Sequence, residues 1–180
     1  EAGGFTDQYE GIRILTVGRL TYQKAYDIAI DAMKLVKQSG CKARWYVLGE
    51  GNEREKLEKK IKELGLEEDF LLLGAVENPY PYYAQADLYV HATRFEGKSI
   101  AIQEAQVLGC PVIASDCNGN REQIESGVDG ILCKLSPEDI AKCIEELIAD
   151  PKKRQIYAKC ARERNKENKE EINQLLNMMR

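Results

Sequence analysis

The chain has no Cys-x-x-Cys pair, and a single histidine, His91, stands among six scattered cysteines: Cys41, Cys110, Cys117, Cys133, Cys143 and Cys160. A zinc site is therefore not expected, because its thiolate and imidazole ligands come at close, regular spacings. Most of the cysteines read instead as small buried apolar residues. No apolar run approaches the roughly 20 residues that cross a bilayer, and no secretory apolar segment precedes the first strand. A reducing cytoplasm is the expected compartment. A concentrated basic face is also absent: Lys and Arg alternate with Asp and Glu along helical stretches, which excludes a general nucleic-acid binder. What remains is the balance of an ordinary soluble domain, with 43% apolar and 31% charged residues, a net charge of -4 and 180 residues, enough for one well-buried core.

Short β-branched or apolar runs alternate with helical periods. Ile12 to Val17 precedes Tyr26 to Lys37, Trp45 to Leu48 precedes Glu53 to Leu64, and Phe70 to Leu73 precedes a short helix near Tyr80 to Gln85. Leu88 to His91 then leads to Ile100 to Leu108, Val112 to Ala114 to a short helix near Arg121 to Ser126, and Gly130 to Cys133 to Pro137 to Ile148. Parallel strands need crossover connections, so this alternation predicts a doubly wound, Rossmann-like α/β fold: a parallel sheet of about six strands with helices on both faces. Residues 1–10 lack a period and read as a linker or remnant, residues 11–150 as the domain, and 151–180 as C-terminal helices. Of these, Pro151 to Arg164 reads as one helix and Lys166 to Met178 as another. The apolar stripe of the second, Ile172, Leu175, Leu176 and the methionines, packs back on this sheet or on a further domain.

In open α/β sheets ligands bind outside the carboxyl ends of the strands, so chemistry is sought in the loops that follow them. Gly18, Arg19 and Lys24 set two cations before a helix start, an arrangement suited to a diphosphate, or simply exposed. Gly49-Glu50-Gly51 is not a dinucleotide fingerprint, lacking the third glycine and an acid at the next strand's carboxyl end, and no Walker pattern occurs. These glycines read as a tight turn beside a ligand or another loop. Gly74, Ala75 and Val76 form a loop whose backbone can face a flat ring, or an ordinary glycine turn.

The fourth loop, Thr93 to Ser99, is the informative one. Ser99 is a good N-cap, leaving the amides of Lys98, Ser99 and Ile100 near a helix N-terminus where phosphate or hydroxyl oxygens bind well. On the following helix Ala101, Glu104, Ala105 and Leu108 share one face, with Gln103 and Gln106 on the polar side. A carboxylate among apolar neighbours needs donors, either the vicinal hydroxyls of a ribose or an internal salt bridge to Arg19 or Lys24. His91, at the end of the fourth strand, is either a structural hydrogen-bonding group or a catalytic base.

Together these features resemble the C-terminal domain of retaining glycosyltransferases built from two facing Rossmann-like domains, the group 1, family 4-like enzymes. The matching elements are Val17-Gly18-Arg19-Leu20 with Lys24, Gly49-Glu50-Gly51 with Arg54 and Leu57, Leu73-Gly74, Ala86-Asp87 and Thr93 with Glu96-Gly97. Glu104-Ala105, Gly109-Cys110-Pro111, Glu122, Gly127 and Gly130 complete them. The resemblance implies that Arg19 and Lys24 neutralise the donor diphosphate, and that Glu96, separated from Glu104 by seven intervening residues, touches the donor sugar. It further implies Glu104 on the ribose, Ala75 and Val76 at the nucleobase, and the amides of Lys98 to Ile100 at sugar and phosphate. Neither cofactor nor metal is implied.

Two positions depart from the family pattern: Ala25 stands where glycine is common, and Lys98-Ser99-Ile100 where an aromatic and proline are common. The implied partners are a nucleotide-sugar carrying UDP or GDP, a glycan or lipid-linked acceptor, and an N-terminal acceptor-binding domain absent from this chain. The isolated chain is then expected to bind nucleotide without transferring sugar, and the full-length protein to associate peripherally with the inner face of a membrane. A nucleotide-sugar epimerase of the same architecture, or a non-catalytic nucleotide-sugar-binding module, are the alternatives.

Overall fold

In a computed structural model, the described residues are 3–166, 170, 173, 174 and 177. The elements are β1 (Ile12–Val17), a 3-10 turn (Tyr22–Lys24), α1 (Tyr26–Gln38), β2 (Ala43–Leu48), α2 (Arg54–Glu63), β3 (Phe70–Gly74) and α3 (Tyr80–Gln85). They continue as β4 (Leu88–His91), α4 (Ile100–Val107), β5 (Val112–Ser115), α5 (Asn118–Gln123), β6 (Ile131–Cys133), α6 (Pro137–Ala149) and α7 (Pro151–Arg164). The six strands form one wholly parallel sheet in the order β3-β2-β1-β4-β5-β6.

Each strand reads as apolar because both its faces are covered. Side chains alternate between two cores: Ile14, Trp45, Val47, Val90 and Ile113 point to one, while Leu15, Tyr46, Leu48, Tyr89 and Val112 point to the other. The first core is closed by α1, α2 and α6. Tyr26, Ala29, Ile30, Met33 and Val36 of α1 meet Ile140, Ala141, Ile144 and Leu147 of α6 at helical spacing. The second is closed by α3 and α4. Burying this apolar surface, at roughly 25 cal/mol per Å², is the main drive to the fold. The only tryptophan, Trp45, is 1% exposed, and its indole N–H donates to Thr16 Oγ1 at 2.9 Å.

Helix ends follow local signals. Ser136 Oγ accepts from the Asp139 amide and Asp150 from the Lys153 amide, each followed by proline in the first turn. Helix α7 buries Tyr157, Ala158 and Ala161 and touches both α6 and α4, so residues 151–164 lie on this domain. The apolar stripe expected at Ile172, Leu175, Leu176 and the methionines lies outside the described residues. Ahead of β1, Asp7 ties the chain down by accepting from Arg13, Arg44 and Tyr46.

Three expectations need correction. Helix α5 begins three residues earlier than the Arg121 to Ser126 reading. Asn120 anchors its first turn to the Ser115 carbonyl, and the buried Ile124 turns extended. Gln106 is buried, not on a polar face, because its amide donates to the Gln123 carbonyl and its side-chain oxygen accepts from Asn165. Of the six cysteines, all free, only Cys110 and Cys133 are buried; the other four are half-buried.

Candidate functional site

The strand order places the site. The chain moves from β1 outward to β2 and β3, then returns to lay β4 against β1, so the loops after β1 and β4 diverge over a crevice at the sheet's carboxyl edge. The β1 loop is zipped to the β2 loop: Gly18 N–H donates to Leu48, Leu20 N–H to Glu50 and Glu53 N–H to Leu20. At Gly49 a Cβ would lie 2.0 Å from the Gly18 carbonyl oxygen, so glycine is required there by the close approach of another loop. Between these loops and the β3 loop lies a cavity of about 370 Å³ lined by Val17, Gly18, Arg19, Glu50, Ala75, Val76 and neighbours. Arg19 is exposed and pairs with no acid among the described residues.

Lys24 and Glu96, 72 residues apart, meet over the crevice with Lys24 Nζ donating to Glu96 Oε2 at 2.6 Å. His91 Nε2 lies 2.9 Å from the same oxygen. Both side chains of the ion pair are half-buried and His91 is 2% exposed. The hydrogen bond from His91, helped by Lys24, holds the Glu96 carboxyl down at about 2, whereas burial pushes the His91 imidazole below its ordinary value. Glu96 is thus a pure acceptor. Its Oε2 already has two donors, and Oε1 has no partner among the described residues.

The loop carrying Glu96 is pinned from two sides. On one, Arg94 forks onto both Asp27 oxygens at 3.1 and 2.8 Å and lies over the Tyr22 ring, while Thr93 Oγ1 donates to the Gln23 carbonyl. On the other, Gln123 pairs with the Ser99 backbone in both directions, accepting from its N–H at 2.7 Å and donating to its carbonyl at 2.8 Å. A Cβ on Gly119 would lie 2.0 Å from the Gly97 carbonyl oxygen and 2.3 Å from that of Glu96. Arg94, Gly119 and Gln123 escape a sequence reading because their partners are distant in the chain; the one local signal is the polar cluster Asn118 to Gln123.

At the start of α4 Ser99 caps the helix, its Oγ accepting from the Ile102 amide. The Ser99 amide is occupied by Gln123, so the amides open to a ligand are those of Lys98 and Ile100, both residues exposed. Glu104 lies half-buried on the face it shares with Ala101, Ala105 and Leu108. No salt bridge joins it to Arg19, Lys24 or any other cation among the described residues. Burial raises its pKa, which the Tyr83 and Tyr80 hydroxyls only partly pull back. The Tyr83 hydroxyl, also buried, faces Glu104 but makes no hydrogen bond of ordinary geometry with any described residue. A carboxylate so short of donors suits a ligand that brings hydroxyls.

The predicted residues therefore fall in three groups: Gly18, Arg19, Ala75 and Val76 around the cavity, Lys24 with Glu96 over the crevice, and Lys98, Ser99, Ile100 and Glu104 on or beside α4. Among the described residues no three His, Cys, Asp or Glu side chains gather as a metal would require, and no helix is long and apolar enough to cross a membrane.

Residues 8–164 match the model of the family described as Glycosyl transferases group 1. The chain is 34% identical over 155 residues to the N-acetylgalactosamine-N,N'-diacetylbacillosaminyl-diphospho-undecaprenol 4-alpha-N-acetylgalactosaminyltransferase of Campylobacter jejuni, covering 85% of this chain and 42% of that protein. It is 31% identical over 149 residues to the amylovoran biosynthesis glycosyltransferase AmsD of Erwinia amylovora, covering 83% and 42%. The crystal structure of HepE from Anabaena in complex with UDP superposes with a TM-score of 0.81 at 25% identity, covering 93% of this chain and 49% of that one. The chain thus spans less than half the length of these relatives.

Proposed function

This chain belongs to the glycosyl transferases group 1 family, and from that premise we propose that it is the donor-binding half of a retaining, metal-independent glycosyltransferase. The whole protein moves a sugar from a nucleotide-sugar to a glycan or lipid-linked acceptor in surface polysaccharide synthesis. The observation that carries this reading is the meeting of Lys24 and Glu96 over the crevice between β1 and β4, beside the cavity edged by Arg19. Lys24 has three N–H donors and spends one on Glu96, so it can hold a phosphate oxygen at the same time. With Arg19 it neutralises the diphosphate and the charge that grows there as the glycosidic bond breaks, the work a divalent ion does elsewhere. Glu96 Oε1 accepts from a donor-sugar hydroxyl, Glu104 from the ribose, and the Ala75–Val76 backbone faces the base. The open amides of Lys98 and Ile100 take sugar or phosphate oxygens, while Ser99 serves as their cap.

UDP is the first nucleotide to test, since HepE is crystallised with it; transfer to a lipid-linked acceptor accords with the undecaprenol in the name of the Campylobacter relative. The acceptor site belongs to a facing domain supplied by the rest of a longer protein, which works at the cytoplasmic face of a membrane. Exposed Tyr22, Phe95 and Ile100 ring the crevice where such a domain would close. Isothermal titration of the chain with UDP, GDP and ADP tests the reading. One of the three should bind, and Glu104→Ala should weaken it about tenfold or more, the effect of losing a charged hydrogen-bond acceptor. If none binds, the reading is overturned.

A further inference from the structure

We infer that His91 is a positioning residue for Glu96: its Nε2–H fixes one carboxylate oxygen, so that the other, Oε1, is presented to a hydroxyl of the donor sugar. The inference rests on the donor-site reading above and adds a residue that reading does not need. His91 is the last residue of β4, at the point where strand order reverses, and is 2% exposed. Its Nε2 contacts Glu96 Oε2 at 2.9 Å, and its Nδ1 lies 3.3 Å from the Tyr89 hydroxyl. An ionised carboxylate has no proton to give, so the proton on the first contact belongs to the imidazole. Burial disfavours the imidazolium, leaving one ring proton, on Nε2, and an acceptor lone pair on Nδ1.

The Tyr89 hydroxyl accommodates that tautomer. It accepts from the Val17 amide at 3.3 Å, and its own proton serves either His91 Nδ1 or the Val17 carbonyl at 3.2 Å. A continuous set of contacts thus runs from the end of β1 through Tyr89 and His91 to Glu96 and Lys24. Nε2 is committed to Glu96 and Nδ1 is turned inward onto the Tyr89 hydroxyl, with the ring 2% exposed, so neither nitrogen is open to take a proton from substrate and His91 is not a general base. The geometry also explains why two donors converge on Oε2: between them Lys24 and His91 fill one oxygen and set the carboxylate plane, leaving Oε1 for the ligand.

As the only histidine, His91 gives an unambiguous imidazole signal in nitrogen-15 correlation spectra. At neutral pH the ring should be the neutral Nε2–H tautomer; an Nδ1–H tautomer or an imidazolium overturns the inference. Binding supplies the functional readout, with UDP compared against UDP-glucose, UDP-galactose and UDP-N-acetylglucosamine, or the GDP or ADP counterparts if that base binds. His91→Gln, whose amide N–H sits about where Nε2 does, should keep both nucleotide and best nucleotide-sugar affinities within about twofold. His91→Leu, and His91→Asn whose amide falls short, should keep the nucleotide within about twofold and weaken the nucleotide-sugar about tenfold, the size expected for one charge-assisted hydrogen bond. Equal loss of both ligands in all variants marks a merely structural histidine and overturns the inference, as does unchanged nucleotide-sugar affinity in His91→Leu or His91→Asn. Failure of the donor-site reading shows separately, as a wild-type chain that binds no nucleoside diphosphate, and takes the inference down with it.

Discussion

Ala25 has φ 48° and ψ 37°, in the left-handed region, and is fully buried. It is the only non-glycine residue with positive φ among those described. An L side chain there costs on the order of 1 kcal/mol. The strain falls where the turn carrying Lys24 gives way to α1: the Ala25 amide closes the turn on Tyr22, and its carbonyl accepts from Ile28 and Ala29 to start the helix. The neighbouring residue that aims Lys24 is therefore held by bonds on both sides against its own preference. Ala25→Gly should raise the unfolding free energy measured in urea, by up to about 1 kcal/mol after the entropy lost by glycine is set against the strain removed. Ala25→Val, β-branched in the same conformation, should lower it by about 2 kcal/mol or more. Equal midpoints for alanine and valine would contradict the strain.

At the scale of elements, the β4–α4 loop owes its shape to α1 and α5. Gly119→Ala, outside the crevice, must push the Glu96–Gly97 backbone away from its added methyl. The expected cost is about 1–3 kcal/mol in urea unfolding, as for other overpacked sites, with nucleotide-sugar affinity falling more than nucleotide affinity. The same region shows where sequence reasoning stops. Helices α1 and α6 are legible because their buried positions repeat at helical spacing, and α4 because Ser99 caps it. Helix α5 is misplaced by three residues because its register is set by Asn120 on Ser115 and Gln123 on Ser99, contacts that leave no period behind. Gln106 looks like a surface residue until Gln123 and Asn165, 17 and 59 positions away, are brought beside it. Lys24 is legible as a cation before a helix start and Glu104 as a carboxylate on an apolar helical face, whereas the role of Glu96 comes from the family resemblance; the place of His91 beside Glu96 depends on strand order and loop path together.

Over the whole molecule, three groups of the site contribute, beside Asp7, Asp27, Asp116 and Asp129 elsewhere, to the response of stability to acid. The His91 pKa lies below its unfolded value near 6.5, so the unfolded chain takes that proton first and stability declines as pH falls below about 6.5. Glu96, at about 2 against an ordinary 4.5, contributes stability that is complete above pH 4.5 and is lost between 4.5 and 2. Glu104 acts in the opposite sense: its raised pKa means that protonation on acidification relieves a burial cost and offsets part of the decline. Urea unfolding followed from pH 7.5 to 3 should show the fall beginning near 6.5. His91→Gln should flatten the upper part and leave the lower, and an unaltered upper limb would show that some other group controls it.

Trp45 gives the molecule an optical consequence. Its indole is sealed in the sheet core and bonded to Thr16, the residue before Val17, which edges the cavity. With no second tryptophan to blur the signal, intrinsic emission reports the β1–β2 pairing directly behind the crevice. A blue, solvent-shielded spectrum certifies that the platform is intact, and its red shift times the loss of that pairing. A variant that loses ligand while keeping the wild-type emission has an altered site on an undisturbed sheet, a distinction available from one cuvette without any label.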